Sequence, residues 1–446
     1  RTVIDANSSM SPVTAARSPA TVPTYLAFVL RAGEFQPLAI PLGRADAVDA
    51  LVARWRTETA TGMARIADAP QEAAEKSLRV TGAALRHRIW DPIAKHVQDV
   101  SRVFVVPDGA LNLVPLAALP VGQAEYLLEE GPVIHYISAE RDLVSTRDAF
   151  SAGHGLLAIG GPAFEEETLF AALAKSTPSR GGSSWPVAIP TLFRGVRSGC
   201  GSFQSMQFPT LPASQREADE VAGLWRESQH GTGAGLDRAQ VLIGRDANES
   251  AFKHLAPGSR VLHLATHGFF LGNACASGLD GMRAVGALAG GSKPEPPVGT
   301  RENPLLLSGL ALAGANRRIV ARPDEEDGIL TAEEVASANL EGVEWAVLSA
   351  CDTGLGELKV GEGVFGLRRA FQVAGVRTVI MSLWSVEDLA AREWMLALYR
   401  GRLQRRLDTA DAVREASLTV LRDRRAKGQT THPFYWAGFV AAGDFR

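Results

Sequence analysis

A chain of 446 residues with a formal net charge of −3 is long enough for two or three hydrophobic cores. Its 46% hydrophobic and 21% charged residues are ordinary globular composition, and so small a charge gives no electrostatic reason to expect nucleic acid or an anionic membrane as partner. No apolar run approaches the ~18 residues of a membrane span. The three cysteines, Cys200, Cys275 and Cys351, form neither a C-x-x-C pair nor a regular spacing, which argues against a disulfide scaffold and a zinc site and fits a reducing cytoplasm.

Residues 1–22, rich in Ser, Thr, Ala and Pro, read as a flexible arm. They lack a signal-peptide core and an initiator Met, so the expectation is that a segment has been removed upstream. Tyr25–Leu30 and Leu38–Leu42 flank Gly33 as a strand pair flanks a turn. Leu78, Leu85, Ile89 and Ile93 share one helical face, interrupted near Pro92. Val103–Val106 is a buried strand running into Pro107-Asp108-Gly109, and Val133–Ile137 is another. Residues 23–150 are therefore expected to form an N-terminal accessory α/β subdomain.

From Gly155 the pattern becomes regular. Leu156–Ile159, Gln240–Ile243, Val261–Ala265, Trp345–Ser349 and Thr378–Leu383 are short apolar runs of strand length. Helices alternate with them. Ser214-x-x-Glu217 and Thr331-x-x-Glu334 have capping-box spacing, Glu249–Leu255 is a short helix, and Val364, Leu367, Ala370, Phe371 and Ala374 form one helical face. All-apolar strands alternating with helices imply a mostly parallel sheet covered on both faces, so the fold class is α/β. This second domain, 151–446, carries two irregular stretches, 165–212 and 271–304, expected to be disordered insertions or functional lids.

In open parallel sheets, functional groups gather at the carboxyl ends of strands. His267-Gly268 follows one such strand, and Cys351-Asp352-Thr353-Gly354 follows another. A thiol attacks well as thiolate and needs a nearby base, which a histidine on a neighbouring strand end supplies. The backbone N–H groups of Gly268 and Cys351 could then form an oxyanion hole for acyl transfer at an amide. Taken singly, a strand-end cysteine is more commonly a small buried hydrophobe, and a lone histidine more commonly structural.

The motifs carry a resemblance. HLATHGFF over His263–Phe270 and WAVLSACDTG over Trp345–Gly354 look like the two catalytic signatures of the CHAT domain family, which belongs with caspases, separase and gingipains. PDGALNLVP over Pro107–Pro115, GEGVFGLRRAF over Gly361–Phe371, SLWSVED over Ser382–Asp388 and HPFYWAGF over His432–Phe439 are similar to further landmarks of that family, in order. The resemblance implies a caspase-like three-layer α/β/α sandwich preceded by a degenerate caspase-like subdomain. It implies a cysteine endopeptidase without metal or organic cofactor, acting on a protein substrate with His267 and Cys351 as the catalytic pair. Bacterial signalling or defence is the implied setting. An activating partner is also implied, reached through an upstream tetratricopeptide region, although no ~34-residue repeat occurs here. SLWSVED resembles the separase segment whose acid binds a basic side chain, which makes Asp388 the first and Asp352 the second substrate-binding candidate. Asp388 would equally serve as a cap of the helix that follows it.

Other readings fit less well. Gly354-x-Gly356 departs from a dinucleotide fingerprint, and His263-x-x-x-His267 lacks the glutamate of a zinc-peptidase helix. The basic clusters Arg402–Arg406 and Arg422–Arg425 are interspersed with acids, as solvated helix faces are. A catalytically silent caspase-like scaffold is the alternative from a different class. If the pocket favours basic residues, Arg180, Arg194 and Arg197 are expected self-processing sites.

Overall fold

Strands that the sequence marks as all-apolar lie side by side. The computed structural model describes residues 22–60, 71–143, 152–171, 205–229, 237–270, 304–322, 325–350 and 363–446. Its strands are β1 (Thr24–Val29), β2 (Leu38–Arg44), β3 (Arg102–Val105), β4 (Pro120–Val121), β5 (Glu125–Tyr126), β6 (Val133–Tyr136), β7 (Leu156–Pro162), β8 (Ala239–Gly244), β9 (Val261–Ala265), β10 (His267–Phe270), β11 (Ser308–Ala311), β12 (Ile329–Thr331), β13 (Trp345–Leu348), β14 (Thr378–Ser382) and β15 (Phe439–Gly443). The main helices are α1 (Ala45–Ala60), α2 (Gln71–Ile89), α3 (Pro212–Ser228), α4 (Glu249–Leu255), α5 (Ala332–Ser337), α6 (Gly363–Val373), α7 (Asp388–Tyr399) and α8 (Thr409–Ala426). Among the described residues, no helix is long and apolar enough to cross a membrane.

Eight strands form the central sheet in the order β3-β6-β15-β14-β13-β9-β7-β8. All neighbours are parallel except β14 and β15. Every residue of β9, β13, β14 and β15 is buried, as strands covered on both faces must be. Helices α3, α7 and α8 pack in a row on one face, where the His263, Trp345 and Tyr399 rings meet. That leaves the opposite face to α5 and α6, which pack on each other. The chain is thus α/β with a large, mostly parallel sheet.

Residues 23–150 put β3 and β6 into this same sheet. Their helices α1 and α2 bury Trp55, Leu78 and Leu85 in a core cluster continuous with Val347 and Ile380. The helical face breaks where Pro92 enters a new short helix, as expected. A polar seam also joins the two ends of the chain. Glu75 of α2 accepts from Thr430 Oγ1 at 2.8 Å and from the Thr431 amide at 2.9 Å. The Thr431 carbonyl accepts from Tyr126 Oη at 3.0 Å and Trp436 Nε1 at 2.8 Å.

The two capping boxes part company. Thr331 and Glu334 satisfy each other's backbone donors at 3.3 and 2.8 Å, as read from the sequence. Ser214 does not open its helix. Helix α3 starts at Pro212, and Ser214 Oγ instead accepts from the Gly161 amide at 2.9 Å and donates to the Leu211 carbonyl at 2.8 Å. The cause is close packing: a Cβ on Gly160 would stand 2.3 Å from the Ser214 carbonyl, so helix and strand approach only because Gly160 has none.

Between β6 and β15 the ladder has one registered pair, Tyr136 with Ala442. His135, 1% exposed, reinforces it by donating from Nε2 to the Gly443 carbonyl at 2.9 Å. Burial pushes its pKa down from 6.5 to about 4. The folded value lies below the unfolded one, so this contribution is complete above pH ~6.5 and lost as pH falls toward 4. It amounts to about 3 kcal/mol. His135→Gln keeps a donor and cannot titrate. The wild-type advantage in urea unfolding free energy should therefore shrink by about that amount between pH 7 and 4; parallel curves would refute it.

Candidate active site

Parallel pairing of β9 with β13 sets His263 opposite Val347 and Leu264 opposite Leu348. His267 and Cys351 each lie three residues beyond that last pair along their own segments. Cys351 and Asp352 fall outside the described residues, as do Cys200, Cys275, Arg180, Arg194, Arg197 and the glycines of 354–361.

His267 is not simply the last residue of a strand. The main chain bends at Thr266, whose buried hydroxyl donates to the Ala311 carbonyl, and continues as β10. Strand β10 belongs to a separate antiparallel sheet, β10-β11-β12, with His267 opposite Ala311 and Gly268 opposite Leu310. The bend comes where β9 makes its final pairing, Ala265 with Gly160. Beyond it the backbone finds its hydrogen-bonding partner in β11 instead.

The imidazole is held on every described side. It is 3% exposed, and the rings of Phe164 and Phe208 lie 5.4 and 5.8 Å from it. Its Nε2 stands 2.7 Å from the Pro209 carbonyl. A carbonyl only accepts, so Nε2 carries a proton, and in the neutral form of the ring the bare lone pair is the one on Nδ1. That Nδ1 is buried and has no hydrogen-bond partner among the described residues. A buried acceptor left open is costly unless something is meant to meet it.

Asn316 holds the segment that supplies Pro209. Its Oδ1 accepts from the Phe208 amide at 2.8 Å, and its Nδ2 donates to the Phe208 carbonyl at 3.0 Å and to Glu165 Oε1 at 2.7 Å. Arg318 Nη2 adds a bond to the Met206 carbonyl at 2.6 Å. The described ends of the 165–212 stretch are thus built into the histidine's surroundings. Sequence reasoning missed Pro209 and Asn316 because a main-chain acceptor has no side-chain signature and an isolated Asn reads as a turn residue.

At the neighbouring strand ends, the Ala350 carbonyl accepts from Ser382 Oγ at 3.2 Å. Gly268 lies beside Ala350: a Cβ on Gly268 would stand 3.4 Å from the Ala350 Cβ, an ordinary contact. Nothing described therefore forbids a side chain at 268. Asp388 is the first residue of α7, and its Oδ2 accepts from the Ala213 amide at 2.8 Å, in the first turn of α3. It caps a neighbouring helix rather than its own.

Two groups with the composition of metal ligands have other partners. His263 and His267 do not converge: His263 Nε2 faces Glu217 at 3.0 Å inside the core, while His267 faces Pro209. Carboxylate oxygens of Glu249, Glu326 and Glu334 lie within 4.8 Å of one another, but Lys253 Nζ contacts all three at 2.7, 2.8 and 2.9 Å. Burial pushes the Glu249 carboxyl well above its usual range, while the surrounding carboxylates hold the ammonium charged.

The profile of the CHAT domain matches residues 79–444. The chain belongs to the CHAT domain family. Tetratricopeptide repeat protein 28 of Homo sapiens is 32% identical over 122 residues, which is 27% of this chain and 5% of that protein. Among solved structures, the Arg-specific cysteine proteinase gingipain R (RgpB) of Porphyromonas gingivalis aligns with a TM-score of 0.40 at 8% identity, over 83% of this chain and 67% of that one. The separase–securin complex of Saccharomyces cerevisiae aligns with a TM-score of 0.38 at 11% identity, over 82% of this chain and 17% of that one.

For this CHAT domain, the cap at Asp388 has a measurable weight. Asp388→Ala should lower the unfolding free energy by about 1 kcal/mol in urea titration, and Asp388→Asn, which keeps an acceptor, by less than half of that. Equal losses in both would show that the Ala213 bond is not the contribution being removed.

Proposed function

We propose that this CHAT domain is a cysteine endopeptidase in which Cys351 is the nucleophile and His267 the proton acceptor through Nδ1. The observation that carries the reading is the state of His267: Nε2 tied to the Pro209 carbonyl, Nδ1 buried and open. The paired β9 and β13 strands support it, since the same three-residue step from Leu264 and Leu348 leads to His267 and to Cys351.

In the proposed reaction the Cys351 thiol gives its proton to His267 Nδ1, and the thiolate attacks the scissile carbonyl carbon. The resulting oxyanion takes hydrogen bonds from the backbone N–H groups of Gly268 and Cys351. His267 then returns the proton to the leaving amine, and water hydrolyses the thioester with His267 again as base. Gly268 suits this role because its described neighbours leave room that a substrate backbone could use. Asp388, with Asp352 second, is proposed to face a basic side chain before the scissile bond. Asp388 Oδ2 is engaged with Ala213, so its second oxygen is the one offered.

The substrate is a protein, and no metal or organic cofactor is invoked. The tetratricopeptide name of the human relative supports a setting beside such repeats; activation by a partner held on them, and a cytoplasmic location, are part of the proposal. The competing reading is a CHAT scaffold that binds without cutting.

Peptide-library cleavage with and without Cys351→Ala tests the proposal. Wild type should cut and Cys351→Ala should be inert, with His267→Ala reduced about 10²–10⁴-fold. Asp388→Asn should reduce kcat/KM after Arg or Lys about 10–100-fold. Equal cleavage by wild type and Cys351→Ala would sink the assignment, and no cleavage by any form in the presence of the partner would favour the scaffold.

A further inference from the structure

One polar array inside the core has no role in the chemistry above. His263, 0% exposed, lies on β9 with Nε2 3.0 Å from Glu217 Oε1 of α3, itself 1% exposed. Its Nδ1 is 3.3 Å from Tyr399 Oη at the end of α7, with the two rings edge to face at 5.5 Å. The Glu217 oxygen stands off the line of the ring N–H, so this is a close polar contact rather than an aligned hydrogen bond. Burial and the Glu217 charge push the Tyr399 phenol well above its usual range, which keeps its hydroxyl protonated.

The strand neighbours show how unusual this is. In the sheet His263 is flanked by Ala158 of β7 and Val347 of β13. An apolar residue would fill the same place without desolvating a carboxylate and an imidazole. Local rules broken at a buried site point to a positional purpose.

We propose that the Glu217–His263–Tyr399 array is a positioning device for His267. Segments 209–217 and 263–267 share two polar contacts, Glu217 with His263 and Pro209 with His267. Only the second contact touches the proposed base. The first sets where α3 lies along β9, and hence where the Pro209 carbonyl stands. The N-terminal turn of α3 is pinned further by Ser214 on Gly161 and by Asp388 on Ala213. An ion pair between Arg392 and Glu220 ties α3 to α7, the helix that carries Tyr399. A shift of α3 would move the Pro209 carbonyl off Nε2. The two neutral tautomers of imidazole differ little in free energy, so that one hydrogen bond decides which nitrogen is bare. Glu217, His263 and Tyr399 are positioning residues that act through Pro209.

The catalytic meaning of this inference rests on the proposed role of His267, but the tautomer itself does not. Full-length protein labelled with 15N-histidine would be examined by long-range 1H–15N correlation, with the signal of His267 among the nine histidines identified from His267→Asn. Wild type should show one His267 species with bare Nδ1. The combined variant Glu217→Met, His263→Leu, Tyr399→Phe replaces the array with apolar groups and should stay folded, as such replacements often do. It should show mixed His267 tautomers and a kcat at least tenfold lower at nearly unchanged KM. Leu85→Ala, a buried change in α2, should lower Tm while leaving the His267 signal as in wild type. A single bare-Nδ1 species in the folded triple variant would overturn the proposal. If that variant does not fold, Tyr399→Phe alone should still broaden or split the His267 signal, and an unchanged signal there would overturn it equally. Absence of peptidase activity in wild type would count against the proposed function and leave the tautomer result to decide this inference.

Discussion

The pairing of β9 with β13 is the constraint from which the rest of the site follows. Both strands are buried on both faces, so a slip of one residue would turn every side chain to the wrong layer. His263 makes such a slip costlier still, because it would carry an imidazole away from Glu217 and into the helices of the other face. With the register fixed, the two segments leave the sheet side by side. On the β9 side, His267 then stands three residues beyond the last pair, Leu264 with Leu348, after the bend at Thr266.

Past the sheet, control passes from strand pairing to main-chain acceptors. Thr266 is tied to the Ala311 carbonyl, His267 to that of Pro209, Arg318 to that of Met206, and Ser382 to that of Ala350. Asn316 reproduces a strand neighbour in a place that has none, accepting from and donating to the same residue, Phe208. Side chains thus read backbone geometry here, and the histidine's own partner is an uncharged carbonyl. The phenyl rings of Phe164 and Phe208 lie against the imidazole and shield its bond to Pro209 from water, which makes that bond stronger than it would be at the surface.

Much of the architecture is legible from local pattern, because a strand buried on both faces is apolar at nearly every position and a helix must cover it. The runs at Leu156, Val261, Trp345 and Thr378 and the Thr331–Glu334 box show this directly. What pattern does not carry is competition for the same side chain. Ser214 and Glu217 have capping-box spacing, yet the hydroxyl is taken by Gly161 and the carboxylate by His263, partners distant in sequence. Asp388 serves a helix whose first turn lies near residue 213. The bend at Thr266 is equally hidden, since HLATHGFF is apolar enough on both sides to read as one strand. The Pro209 carbonyl has no sequence signature at all. Of the site's surroundings, then, the strand ends are visible in the sequence, and the groups that orient the imidazole are not.

The place of β15 has a consequence for how the molecule comes into being. This strand, near residue 440, lies between β6 from the first third of the chain and β14 from the last. Until it emerges from the ribosome, β3 and β6 have a raw edge with no neighbour, and β14 has another. The central sheet therefore cannot be completed vectorially from the N-terminus; it closes in one late step, when an antiparallel strand is threaded into a waiting gap. Among its thirty-odd flanking residues, α8 and the Thr430–Trp436 seam arrive together with that strand. A nascent chain stopped short of β15 would expose two unpaired edges at once, so truncation near the end is a route to aggregation rather than to a smaller working domain.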